Sequence, residues 1–235
     1  MRVLVGMECS GVVREAFAAR GHLAMSCDLK PTEQEGAHYH GDLRDLFSGR
    51  VSMRRWIGAD LPDLAILHPD CTFLTVAGLH RNKTTPGRAE KTEAALAFVS
   101  WLLNLPVKHK CLENPVGAIS TRIRKPNQII QPWQFGEPYS KATCLWLDGL
   151  PLLTHTHTLQ PEAFQTNGRP RWRNQTASGQ NNLTPSPTRA ADRARTYEGI
   201  ADAMADQWGE FIESTNSNRN GSMPITSSTH QPTTK

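Results

Sequence analysis

Cys71 stands at the lip of an apolar run, in the segment DLAILHPDCTFL from Asp63 to Leu74. Leu64 to Leu67 reads as a short buried strand that His-Pro-Asp brings to an end. A thiol in that place has two readings. Free cysteines are usually buried, inert packing groups. A cysteine just past a strand end is also the nucleophile that covalent catalysis requires. A second run, HKCLENP (His109–Pro115), carries Glu113 to a strand end in the same way. Glu113 is either a turn or surface acid, or a group that exchanges protons with a ligand. Asp28 ends HLAMSCD, where an acid can accept hydrogen bonds from ribose hydroxyls. Asp42, in GDLRDL, is placed to accept from an amino group such as that of adenine. Both aspartates are equally able to cap the segments that follow them.

These side chains need a frame that delivers strand ends to one edge. RVLVGM (Arg2–Met7) is a β-branched, apolar run that reads as a buried first strand. GMECSG then turns toward VVREAFAARG, where Val12, Val13, Ala16 and Phe17 recur at helical spacing. Gly6 and Gly11 allow a ligand to approach that turn and the helix start. Further strands are expected at His22–Asp28, from His38, at Asp63–His68, at His109–Pro115 and at Ala142–Leu147. EKTEAALAFVSWLLNL (Glu90–Leu105) reads as a helix apolar almost all round and therefore buried. Strands alternating with helices predict an α/β domain with a mostly parallel sheet, whose carboxyl edge binds ligands. From Leu150 to Ala190 the pattern is irregular, with GRPRWRNQ at its centre. Order returns in a helical stretch whose face carries Tyr197, Ile200, Ala201, Met204, Trp208, Phe211 and Ile212. The division expected is a core over 1–150, an irregular insertion over 151–189, a returning helix over 190–213 and a polar, disordered tail over 214–235.

The chain has 235 residues, 38% hydrophobic and 20% charged, enough for one full core. A net charge of +4 permits a nucleic-acid partner without requiring one. Five cysteines with no CxxC spacing speak against a zinc ribbon and for a reduced, cytoplasmic protein with free thiols. The paired histidines at 38/40 and 155/157 have no companion ligands at a useful spacing, so no metal is expected. No apolar run approaches a membrane span. Arg169, Arg171, Trp172, Arg173 and Arg189 form a basic loop that is either an ordinary solvated surface or a clamp for phosphates and a stacked base.

In order and spacing these segments resemble the DNA (cytosine-5) methyltransferases, above all short phage-type members. ECSG stands at the glycine-bearing first motif, Asp28 at the ribose acid and GDL at the adenine-contacting motif. HPDC stands at the Pro-Cys nucleophile loop, and ENP at the Glu-Asn motif. FGEPYSKATCLWL (Phe135–Leu147) is similar to the family's later strand motif, and TYEGIADAMADQW to its closing helix.

The resemblance implies a Rossmann-like methyltransferase fold and S-adenosylmethionine held by Glu8, Cys9, Ser10, Gly11, Asp28, Leu29, Asp42, Leu43 and Pro69. It implies Cys71 as nucleophile, Glu113 as its acid partner and Lys141 as a cation for the flipped base or a phosphate. The partner would be DNA, double-stranded with the target base flipped, bound by a monomer through Arg169, Arg171, Trp172 and Arg173. A phage context implies masking of DNA from restriction. The chain departs from the family pattern at Asp70, where the family has proline, and at Lys141 and Thr143, where it has arginines. A free-nucleotide or RNA substrate, and a non-catalytic nucleic-acid-binding module, are the alternative readings.

Overall fold

In a computed structural model, residues 1–182 and 195–220 are described. The chain runs β1 (Arg2–Gly6), α1 (Val12–Ala18), β2 (Leu23–Asp28), β3 (His38–His40), α2 (Leu43–Phe47), α3 (Arg54–Ile57), β4 (Leu64–Leu67), α4 (Val76–Leu79) and α5 (Arg88–Leu103). It continues through β5 (His109–Pro115), α6 (Ala118–Arg122), β6 (Gln128–Ile130), β7 (Thr143–Asp148), a small hairpin of β8 (Ala163–Phe164) and β9 (Pro170–Arg171), and α7 (Glu198–Asn220). Seven strands form one sheet in the order β3-β2-β1-β4-β5-β7-β6. β3, β2, β1, β4 and β5 are parallel, and only β7 runs against its neighbours β5 and β6. This is the Rossmann-like α/β fold with a mostly parallel sheet that the alternating pattern predicts, with one strand reversed.

The strand interiors are apolar on both faces because both faces are covered. Val3, Val5, Leu64, Ile66, Cys111 and Leu145 face α1 and α7. Leu4, Ala65, Leu67, Leu112 and Trp146 face the side of α2, α3, α5 and α6. β1 and β4 are neighbours although the chain leaves β1 toward β2, so their carboxyl ends flank a switch in strand order. Such a switch opens a crevice at the sheet edge.

Three expectations need correction. α5 is not buried all round: Thr92, Leu96, Val99 and Leu102 face the core, while Ala94 and Ala97 are exposed. Its small alanines tolerate water, so one apolar stripe suffices. The returning helix begins at Glu198, and its tail boundary at residue 214 is overturned. The helix continues to Asn220, with Thr215 and Ser217 hydroxyls donating to Phe211 and Glu213 carbonyls at 2.7 and 3.0 Å. The remainder of the expected tail, the stretch 183–194 and Arg189 lie outside the described residues.

Candidate active site

The turn after β1 is ordered by its own side chains. Glu8 is buried and its carboxylate accepts from the Val13 amide at 2.7 Å and the Arg14 amide at 3.3 Å. It thereby satisfies donors that the first turn of α1 cannot pair internally. The Ser10 hydroxyl donates to Glu8 at 3.2 Å. Cys9 is half-buried and faces Glu33. Gly11 adopts a positive φ of 76°, and a side chain there would strike the Arg14 guanidinium. Both side chains, expected to contact the cofactor, hold the start of α1 here.

Arg14, whose importance the sequence did not signal, is fully buried beneath this turn. It pairs with Glu15 at 2.8 Å and donates to the Ser26 and Thr32 hydroxyls and to the Gln34 and Glu35 carbonyls. A buried guanidinium is tolerable only when its donors are satisfied in this way. It pins the loop after β2 against the turn after β1, and the Glu33 amide completes that contact on the Cys9 carbonyl at 2.8 Å.

A cavity of about 240 Å³ opens at the sheet edge. Met7, Asp28, Leu29, Asp42, Leu43, Arg44, Pro69, Asp70, Phe73 and Phe98 are among its walls. Five of the nine expected cofactor residues, Asp28, Leu29, Asp42, Leu43 and Pro69, thus come together; Glu8, Cys9, Ser10 and Gly11 do not line it. Phe73, Phe98 and Arg44, which sequence reasoning missed, add flat apolar walls and a cation stacked 4.8 Å from the Phe98 ring. Asp28 accepts from the Lys30 amide through one oxygen at 2.9 Å, leaving its second oxygen for hydroxyl donors. Asp42 caps α2, accepting from the Arg44 amide at 2.9 Å and pairing with its guanidinium at 3.2 Å. The capping alternative is the geometry found there. The volume, the acid at the strand end and the flat walls fit a nucleoside, and so the adenosine half of S-adenosylmethionine.

Pro69 and Asp70 form one wall of the cavity, and Cys71 follows them, half-buried. The Asp70 carboxylate is turned onto Thr72, accepting from its amide at 2.8 Å and its hydroxyl at 2.6 Å. The loop after Cys71 is zipped to the loop after Glu113. The Ala118 amide donates to the Leu74 carbonyl at 2.7 Å, and the Val76 amide to the Val116 carbonyl at 3.3 Å. Asn114 ties the two strand ends together, donating to the Pro69 carbonyl at 2.7 Å. Gly117 permits the approach, since any side chain there would collide with the Leu74 backbone.

On the α1/α7 side of the lip, His68 Nδ1 lies 3.2 Å from Glu113 Oε2. Burial pushes the Glu113 carboxyl up, but His68, Lys141 and Thr143 together hold it below the usual range. Burial and the Asp70 and Glu113 carboxylates push the Cys71 thiol up against a smaller opposing pull from Lys141. All five thiols are raised, so position rather than acidity distinguishes Cys71. Glu113 and Lys141 thus act on the Cys71 thiol with opposite sign, Glu113 raising it and Lys141 lowering it. Lys141 donates to the Arg195 carbonyl at 3.1 Å and lies 5.7 Å from the Tyr197 ring centroid.

The basic loop is less available than expected. Trp172 is 6% exposed and stacks on Trp133 at 5.2 Å between centroids, so its ring is a packing group. Arg173 pairs with Glu162 at 2.9 Å. Arg169 is exposed and Arg171 is half-buried. The hairpin docks on the core through Asn174, which exchanges hydrogen bonds with the Ser140 backbone at 2.9 and 2.8 Å. Among the described residues no group of three or more His, Cys, Asp or Glu is arranged to hold a metal ion. No described helix is long and apolar enough to cross a membrane.

No family model and no curated protein matches the chain. Among solved structures it is similar to a candidate DNA modification methyltransferase encoded within a prophage of E. coli, with 12% identity and a TM-score of 0.40. That match covers 69% of this chain and 56% of the other, so the chain spans little more than half of that protein.

Proposed function

We propose that this chain methylates carbon 5 of cytosine in DNA, with S-adenosylmethionine as the methyl donor and Cys71 as a covalent catalyst. The observation that carries the reading is the joining of two strand ends. Cys71 follows β4, Glu113 ends the adjacent β5, and the loops behind them are hydrogen-bonded together beside a nucleoside-sized cavity. Cytosine carbon 5 is a poor nucleophile until a thiolate adds at carbon 6. In the proposed step the Cys71 Sγ–C6 bond forms as the thiol gives up its proton, which the Glu113 carboxylate accepts and passes to ring nitrogen 3. Bound in the cavity, the cofactor supplies an electrophilic methyl group. Loss of the carbon 5 proton to a base then re-forms the ring double bond and expels the thiolate. The target base must be flipped from the duplex, at a cost of about a few kcal/mol.

The DNA surface extends beyond the hairpin. His80, Arg81 and Lys83 are exposed on the turn after α4, and 71–89 contains no acid after Cys71. Such a run beside the nucleophile suits a phosphate backbone. Arg169 and Arg171 supply further charge. With so small an insertion, recognition would extend over a short motif. Masking of DNA from restriction is the biological role such an enzyme would serve in a phage.

The raised Cys71 thiol favours a second reading, a methyltransferase-like module that binds nucleic acid without catalysis. Incubation with cofactor and unmodified DNA, followed by nucleoside mass spectrometry, separates the two. 5-Methylcytosine that disappears in Cys71→Ala supports the enzyme. Cofactor binding without any modified base on DNA, RNA or nucleotide supports the module.

A further inference from the structure

His68 is a half-buried titratable group to which the proposed chemistry gives no task. It follows β4 with the same strand alternation that turns Leu64 and Ile66 toward α1 and α7. Glu113 follows Cys111 onto that same face. Side chains two residues apart share a face, so the histidine and the carboxylate meet at the sheet edge. Both side chains are only 11% exposed. Nδ1 is directed at Glu113 Oε2, while Nε2 is buried without a hydrogen-bond partner among the described residues. Leaving a buried ring nitrogen unpaired costs about 1–3 kcal/mol, so packing alone does not account for a histidine here. An aliphatic side chain would fill the space without that cost.

Resting on the cytosine reading above, we propose that His68 is the positioning residue of Glu113. Its Nδ1–H donates to Oε2 and fixes the rotation of the carboxyl group, leaving the remaining lone pairs to accept from the amino group and the protonated nitrogen 3 of the target base. A carboxyl group on a flexible side chain turns readily, and a group that relays a proton to the base must hold its angle while carbon 6 rehybridises. Thr143 and Lys141 stabilise the same carboxylate, and His68 Nδ1 is directed at its Oε2. The Glu113 carboxylate also acts on the Cys71, Cys111 and Cys144 thiols, and Asp70 acts on Cys71.

The test uses DNA carrying 5-fluorocytosine at the target position, with S-adenosylmethionine and the full chain. After Sγ–C6 bond formation and methyl transfer, carbon 5 holds fluorine in place of a removable proton, so the protein–DNA adduct persists and its formation can be timed. His68→Asn keeps a donor near the Nδ1 position; His68→Leu fills the volume without one. The expected result is adduct formation slowed about 10–100-fold in the leucine variant, the scale of a misaligned reacting group. The asparagine variant regains most of that rate, and both bind DNA and cofactor as the wild type does. A leucine variant that forms adduct at the wild-type rate overturns the proposal. So does an asparagine variant as slow as the leucine one, which would mark His68 as packing. Absence of adduct with the wild-type protein would instead overturn the cytosine reading itself, and the positioning role with it.

Discussion

Gly117→Ala tests the joining of the two strand-end loops. The methyl group would lie 2.8 Å from the Leu74 carbonyl carbon and 3.0 Å from Thr75 Cα, and closer still to the Leu74 oxygen. Carbon atoms in contact sit about 3.5–4.0 Å apart, so the loops must separate by at least about 0.7 Å. The backbone φ of 179° is ordinary extended geometry, so close approach alone is responsible. Separation on that scale stretches the 2.7 Å bond from Ala118 to Leu74 beyond about 3.2 Å and breaks the 3.3 Å bond from Val76 to Val116. Overpacking and lost hydrogen bonds together cost about 2–5 kcal/mol, a fall in Tm of roughly 5–15 °C. If folding survives, Cys71 moves relative to Glu113, and methyl transfer falls about 10²-fold. Thermal unfolding and transfer kinetics read the two effects. Gly58→Ala is the control: no atom lies within 4 Å of the added methyl, but φ is +70°. It carries backbone strain of about 1–2 kcal/mol and no loss of transfer. Wild-type stability and wild-type transfer in Gly117→Ala would refute the claim that this contact sets the site.

Other outcomes follow from the same geometry. Asp70→Asn removes a charge that raises the Cys71 thiol, so iodoacetamide should alkylate Cys71 faster near neutral pH; an unchanged rate would show that burial alone controls it. Glu8→Ala should destabilise the fold by about 1–3 kcal/mol through the uncapped start of α1, seen as a lower urea midpoint. Glu113 is held below its ordinary value, so its ionised form contributes stability above the unfolded value near 4.5. That contribution should be lost as pH falls through the lower folded value, and Glu113→Gln should show a shallower loss of stability with acid. Trp172→Ala should release the hairpin from the core at a cost of about 3–5 kcal/mol, detected by proteolysis within 151–182. Weakened DNA binding with an intact hairpin would instead make Trp172 a base-stacking group.

Local chemistry made much of this fold legible. Val3–Val5, Leu64–Leu67 and Cys111–Leu112 could only be strands buried on both faces, because their apolar runs are continuous and short. That fixed an α/β frame and put Cys71, Glu113, Asp28 and Asp42 at strand ends. It did not reveal β6, three residues long, nor that β7 runs backward; pairing direction leaves no mark in a six-residue apolar run. Nor did it show which side chains the structure needs for itself. Glu8 has the composition of a ligand contact and is a helix cap. Trp172 has the composition of a stacking platform and is held by Trp133, a partner 39 positions away in the chain. His68 and Glu113 are 45 positions apart, and only parallel pairing of β4 with β5 brings them to 3.2 Å. The sequence by itself determined which groups could react and that strand ends would present them. Tertiary structure decided which remain available, because burial and hydrogen-bond satisfaction depend on partners brought from distant parts of the chain.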